Sequence, residues 1–167
     1  MISGTARWYT VGSYLVTATQ QGLSSSVARA GQVPGEIAWD DCNCDGVLAV
    51  TTPRVFLSEN FPDEAEGTVG VRCQAPYEVG EFTVSVIRCV PGPEGQDMSP
   101  TAADLDAAAG LLLQDLAETM DTVSALMCQL KDADSISDYL ISPAESAGPE
   151  GACAGFTLRV LVSLERA

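Results

Sequence analysis

Hydrophobic positions recur along this chain with two periods, and the change from one to the other marks out its elements. From Trp8 to Ala30 the apolar or small residues Trp8, Val11, Leu15, Ala18 and Gly22 fall at steps of three and four, on one side of a predicted helix. Gly31, with Pro34 close behind, is the expected stop. From Gly46 the segment VLAVTTPRVF is rich in β-branched residues and predicts a strand, with Pro53 at a bulge or an edge. SENFPDEAEGTV then breaks the pattern with proline, glycine and a run of acids, so it reads as a loop. Val69 to Cys73 reads as a short strand. EFTVSVIRCV alternates, with Phe82, Val84 and Val86 on one face and Thr83, Ser85 and Ile87 on the other, as a half-buried antiparallel strand does.

PGPEGQDMSP is a breaker-rich linker, and Ser99 followed by Pro100 offers a capping hydroxyl and a proline at the first helical position. The helix that follows is the longest element, about 30 residues and a rod near 45 Å long. Leu105, Leu112, Leu116, Val123, Met127 and Leu130 share one stripe, and Asp104, Asp115 and Glu118 are expected on the far side, with Leu111 straying among the acids. DADSISDYLISPAESAGPEGA reads as a loop with at most one helical turn. GFTLRVLVSLERA closes the chain with Phe156, Leu158, Val160, Val162 and Leu164 alternating with Thr157, Arg159, Leu161, Ser163 and Glu165, a strand with one core face. The order helix, strand, short strand, strand, long helix, strand predicts one α+β domain over residues 1–167. A small, mainly antiparallel sheet would carry both helices, and the last strand would join the earlier ones.

Eight basic against 23 acidic residues give a net charge of −15. Such a surface repels phosphate, and the scattered arginines form no basic footprint for gripping nucleic acid. No apolar run reaches the roughly 18 residues of a membrane span, and MISGTARWYTVGS lacks the pattern of a secretory leader, so a cytoplasmic setting is expected.

Histidine is absent, which removes Ser-His-Asp and Cys-His nucleophile systems and the commonest general base. Of the six cysteines, Cys42 and Cys44 stand one residue apart in WDDCNCDG and no second pair follows, unlike the repeated ligand pairs of zinc sites. They precede a strand rather than a helix, unlike a redox pair. Reduced, buried thiols leading into the strand are expected, with no metal and no cofactor.

WDDCNCDGVLAV, the FP of SENFPDE, EFTVSVIRCVPGPEGQ and DLDAAAGLLLQDLAETMDTVSALMCQL together resemble neck proteins of long-tailed actinobacterial phages, of the tail terminator type. The resemblance covers about Trp39 to Leu130. It implies a structural, non-enzymatic virion protein, assembled in the host cytoplasm and placed at the tail–neck junction. It would form a homo-oligomeric, hexameric ring that ends the tail tube, meets the tail tube protein and the head-to-tail connector or stopper, and lets genomic DNA pass without specific binding. The resemblance carries no residue motif, so no functional residue transfers from it individually.

Under that reading Leu57, Phe61, Leu111, Tyr139 and Ile141 are candidate subunit or neck contacts, Leu111 because it strays to the acidic side of its helix and the other four because they are apolar in polar, loop-like surroundings. Glu59, Asp63, Glu64 and Glu66 are candidates for an acidic lumen or rim, where negative walls keep a passing duplex from sticking. The alternatives are another neck component, such as a stopper or adaptor, or a small cysteine-based metal-binding protein.

Overall fold

A computed structural model describes residues 2, 4–35, 46–65, 76–92 and 99–165. The elements are α1 (Arg7–Gly22), β1 (Arg29–Gln32), β2 (Val47–Ser58), β3 (Tyr77–Cys89), α2 (Ala102–Asp132), β4 (Asp138–Ile141), β5 (Glu145–Glu150) and β6 (Cys153–Glu165). They form an α+β fold with one mixed sheet in the order β1-β2-β3-β6-β4, and β5 also pairs with β6. Among the described strands only β1 and β2 run parallel. The predicted strand at Val69 to Cys73 and the stretch from Trp39 to Asp45, with Cys42 and Cys44, lie outside the described residues.

Alternation along the central strands produces the core. Residues opposite one another in an antiparallel pair point to the same face, so the registers Val50↔Val84 and Val84↔Leu158 carry one apolar face across three strands. Leu48, Val50, Phe82, Val84, Val86, Phe156, Leu158, Val160, Val162 and Leu164 are all buried there, with Val11 and Leu15 of α1 and Val123 and Met127 of α2 packed on them. Each such large side chain contributes about 1.5–3 kcal/mol by leaving water. The final strand enters the sheet between β3 and β4, with its even-numbered residues from Phe156 to Leu164 in the core and Cys153 and Ser163 of the other face buried too.

α1 is pinned at its start, where the Arg7 guanidinium reaches both oxygens of Glu78 at 2.8 and 2.7 Å and the Trp8 indole N–H donates to the same carboxylate at 2.7 Å. The Trp8 ring lies flat enough over Gly80 that a methyl group there would sit 2.6 Å from it. The helix ends at Gly22, short of the predicted Gly31. A side chain at Gly22 would run into Thr122 of α2, so glycine here permits the two helices to touch. The chain then turns away, and 29–32 is recruited as an edge strand along β2.

The bulge expected at Pro53 is present, as a register shift between Thr51 and Arg54. The cap of α2 falls at Thr101 rather than Ser99. Thr101 and Asp104 bond each other reciprocally, a capping box that Ser99 lacks the acidic partner to form. The stretch after Lys131 is a loop only in part, since it contains β4 and β5. Both are short, and β6, at 13 residues, offers its second edge to each in turn.

The structure corrects the stripe on α2. Its buried residues are Asp115, Thr119, Val123 and Met127, so Asp115 lies on the inward side, and Leu105 is 50% exposed. A buried aspartate is tolerable only with a partner, and Arg88 supplies it from the helix-facing side of β3. Reduced thiols fail as a general expectation: Cys153 is disulfide-bonded. Spacing along the chain cannot show which cysteines meet in space.

Among the described residues no helix is long and apolar enough to cross a membrane.

Candidate functional site

Two regions carry the exposed or unusual side chains, and they lie on different parts of the fold. The first is the amino-terminal half of α2. The helix has 31 residues, a length of about 46 Å, yet its first fully buried residue is Asp115. The turns before it stand largely exposed, with Leu105 at 50% and Leu113 at 65%. The anchoring point itself is tight. Arg88 Nε and Nη2 hold the Asp115 carboxylate at 2.8 and 3.1 Å, and Nη1 and Nη2 donate to the carbonyls of Ser26 and Ser25 at 2.6 and 2.7 Å. Glu118, one turn on, accepts from the Ser24 backbone N–H at 2.8 Å, the Ser24 hydroxyl at 2.7 Å and the Gln114 amide at 3.0 Å. These bonds, the backbone one first, hold the Glu118 carboxyl below its ordinary range.

The second region is the sheet face turned away from the helices. The register places Arg54, Glu81, Leu161 and Leu140 in one cross-strand row, with Arg159 in the row beside it. Glu81 is nearly buried and receives both arginines, Arg54 Nε at 2.6 Å and Arg159 Nε at 3.1 Å. The Arg54 guanidinium also stacks 4.8 Å over the Phe56 ring and reaches Glu64 at 2.8 Å. Its ionised form is favoured most by the Glu81 bond, which raises its pKa. Both arginine side chains remain more than half exposed, at 54% and 58%. Leu140 is 42% exposed.

The residues singled out from sequence do not gather in one place. Glu59, Asp63 and Glu64 are exposed in the loop after β2, Phe61 is half-buried there, and Glu66 lies outside the described residues. Glu64 is engaged by Arg54, so it is a poorer candidate for a bare rim than Glu59 or Asp63. Leu57 belongs to β2 rather than to a loop. Tyr139 and Ile141 belong to β4 and pack against the core cluster, so the fold of a single copy uses both. The Tyr139 hydroxyl lies 3.1 Å from the exposed Cys128 thiol, and that contact, with burial, pushes the phenol above its ordinary value. Leu111 is half-buried on α2. β2 and β4 are separated by β3 and β6, so these candidates form two groups at least.

Sequence reasoning missed the pairing of Arg54 and Arg159 through Glu81, which depends on strand register. It also counted Leu105 in the core stripe and passed over Leu113, whose signal was its place four residues beyond Ala109 and eight beyond Leu105. A groove of about 690 Å³ opens at the far end of α2, where Asp132, Asp134 and Glu165 face Lys131 and Tyr77. Among the described residues no group of three or more His, Cys, Asp or Glu side chains is placed to hold a metal ion.

No protein-family model matches the chain, and no curated protein matches it.

Proposed function

We propose that this chain is a structural subunit of a closed ring at the junction of tail and head in a long-tailed phage, of the tail terminator type, through whose lumen the genome passes. The observation that carries this reading is the exposed half of α2. A helix that runs about three turns past its anchoring point, with Leu105 and Leu113 in solvent, offers a surface that the folding of one copy does not use.

Further support comes from the element order: the resemblance implies helix, strands, helix, strand, and here a helix and three strands are followed by a long helix and three more strands, of which β6 returns to the middle of the sheet. The net charge of −15 suits a conduit for DNA, since neither a wall nor a rim of that sign offers phosphates counterion release. The disulfide at Cys153 suits a protein whose working life is spent in a particle outside the cell, where such bonds persist.

The experiment is localisation in the particle. An epitope tag placed after Glu165 and labelled in purified virions is expected as a single ring of label where the tail joins the head. Label along the tail shaft or over the capsid, or none in the particle, overturns the reading.

A further inference from the structure

Leu105, Ala109 and Leu113 are spaced four residues apart on the free part of α2, the spacing that aligns side chains on a helix surface. All three are exposed. The charged residues beside the stripe are all acidic. From Cys89 to Leu130 the sequence contains no lysine or arginine, and the free turns carry Asp104 and Asp106. Asp104 is spent on the cap with Thr101, and Asp106 has no partner among the described residues.

An exposed patch on the sheet face turned away from the helices presents the counterpart, although Val79, Ser85 and Ser163 of the same face are buried. Leu140 and Leu161 stand side by side in register, next to Arg159. Arg159 gives Nε to Glu81 at 3.1 Å, which leaves both of its terminal nitrogens aimed at no described partner, in a fork suited to a carboxylate. One copy therefore bears leucines with an aspartate on a helix, and leucines with an arginine on a sheet. Copies that each carry a net charge of −15 repel, so a stable contact between them is favoured by bringing opposite charges together. Two different complementary patches on one subunit are what head-to-tail closure needs.

We infer that the free turns of α2 dock on this exposed patch of the next copy's sheet, with Leu105 and Leu113 over the Leu140–Leu161 pair and Asp106 against Arg159. This rests on the ring reading above and names the contact that closes the ring. Neither half of the contact is part of the core, so both remain available after folding.

A charge exchange tests it. The purified full chain and the variants Asp106→Arg, Arg159→Asp, the double exchange, and Leu113→Gln are compared by sedimentation velocity across a concentration series, with thermal melting as the check that each folds. Asp106→Arg, Arg159→Asp and Leu113→Gln are each expected to raise the concentration needed for assembly at least tenfold, and the double exchange to recover most of it. A ring whose assembly is unmoved by Asp106→Arg and Leu113→Gln overturns the docking contact and leaves the ring reading standing. Variants that assemble normally but lose the tail tube protein show that the α2 surface serves a different partner, and they overturn the contact too. A wild-type chain that stays monomeric at every concentration overturns both.

Discussion

Arg88 and Asp115 form a buried ion pair, 2.8 Å at its shorter contact, with their side chains 6% and 0% exposed. The pair fixes β3 to α2 at the point where the helix leaves the body, and through the carbonyls of Ser25 and Ser26 it also holds the chain that follows α1. Removing one partner strands the other charge in the interior. Asp115→Ala is therefore expected to cost about 3–5 kcal/mol of unfolding free energy. Replacing both, as Arg88→Met with Asp115→Leu, should recover most of that loss. Urea denaturation of the three proteins measures the difference, and equal losses for the single and double variants would refute the pairing.

Acid should loosen α2 both beside this junction and at its far end. Hydrogen bonds to Ser24 and Gln114 hold the Glu118 carboxyl below its ordinary value, and the bond from Lys131, at 2.7 Å, does the same for Asp138. A depressed native pKa means that the unfolded chain takes up the proton first. The stability these groups give is thus complete above the unfolded values of about 4.3 and 3.9 and is lost as pH falls through the lower native ones. Denaturation midpoints should fall as the pH is taken below about 4.5, and Glu118→Gln should make that fall shallower. An unchanged slope in Glu118→Gln would show that its bonds carry no such linkage.

The cap of α2 sits on the free part of the helix, so its loss should be felt locally. Thr101→Ala removes a capping box whose hydroxyl is typically worth about 1 kcal/mol. Amide hydrogen exchange at 102–106 should speed up severalfold, and the global unfolding free energy should hardly change, because the residues of that first turn are all exposed. A full loss in the global value would mean that the first turns are part of the cooperative core.

Glu59 and Asp63 are the bare acids of the loop after β2, and they are the described candidates for a channel rim. Glu59→Gln with Asp63→Asn should leave ring assembly intact and slow genome ejection from reconstituted particles, most strongly at low salt, where adhesion of phosphates to a less repulsive rim is least screened. Ejection rates unaffected at any salt concentration would remove the loop from the lumen.

How much of this was legible in the sequence follows the range of the interactions. β3, β6 and the body of α2 could be read because their periodicity is local, and the bulge at Pro53 because proline lacks a ladder donor. β4 and β5 could not. DYLI and ESAGPE have no strand pattern of their own, and they are strands because β6 runs past them with an open edge. The early end of α1 was hidden for a similar reason, since Gly22 is set by the approach of Thr122 from a helix about 100 residues later in the chain. Asp115 reads as a surface acid in the sequence because its partner, Arg88, comes from strand β3. Of the candidate contacts, sequence picked apolar residues in polar surroundings. That criterion takes in Phe61, half-buried in its loop, and also Tyr139 and Ile141, whose ring and branches the core already uses. The exposed stripe on α2 escaped because only the fold shows where the helix outruns the sheet.

The central claim is that this chain works through contact among its own copies. Native mass spectrometry of the purified protein, alone and with tail tube subunits, tests it most directly. A closed assembly of about six copies is expected, present alone or formed on the tube. A single copy of 17.4 kDa under both conditions would contradict the account.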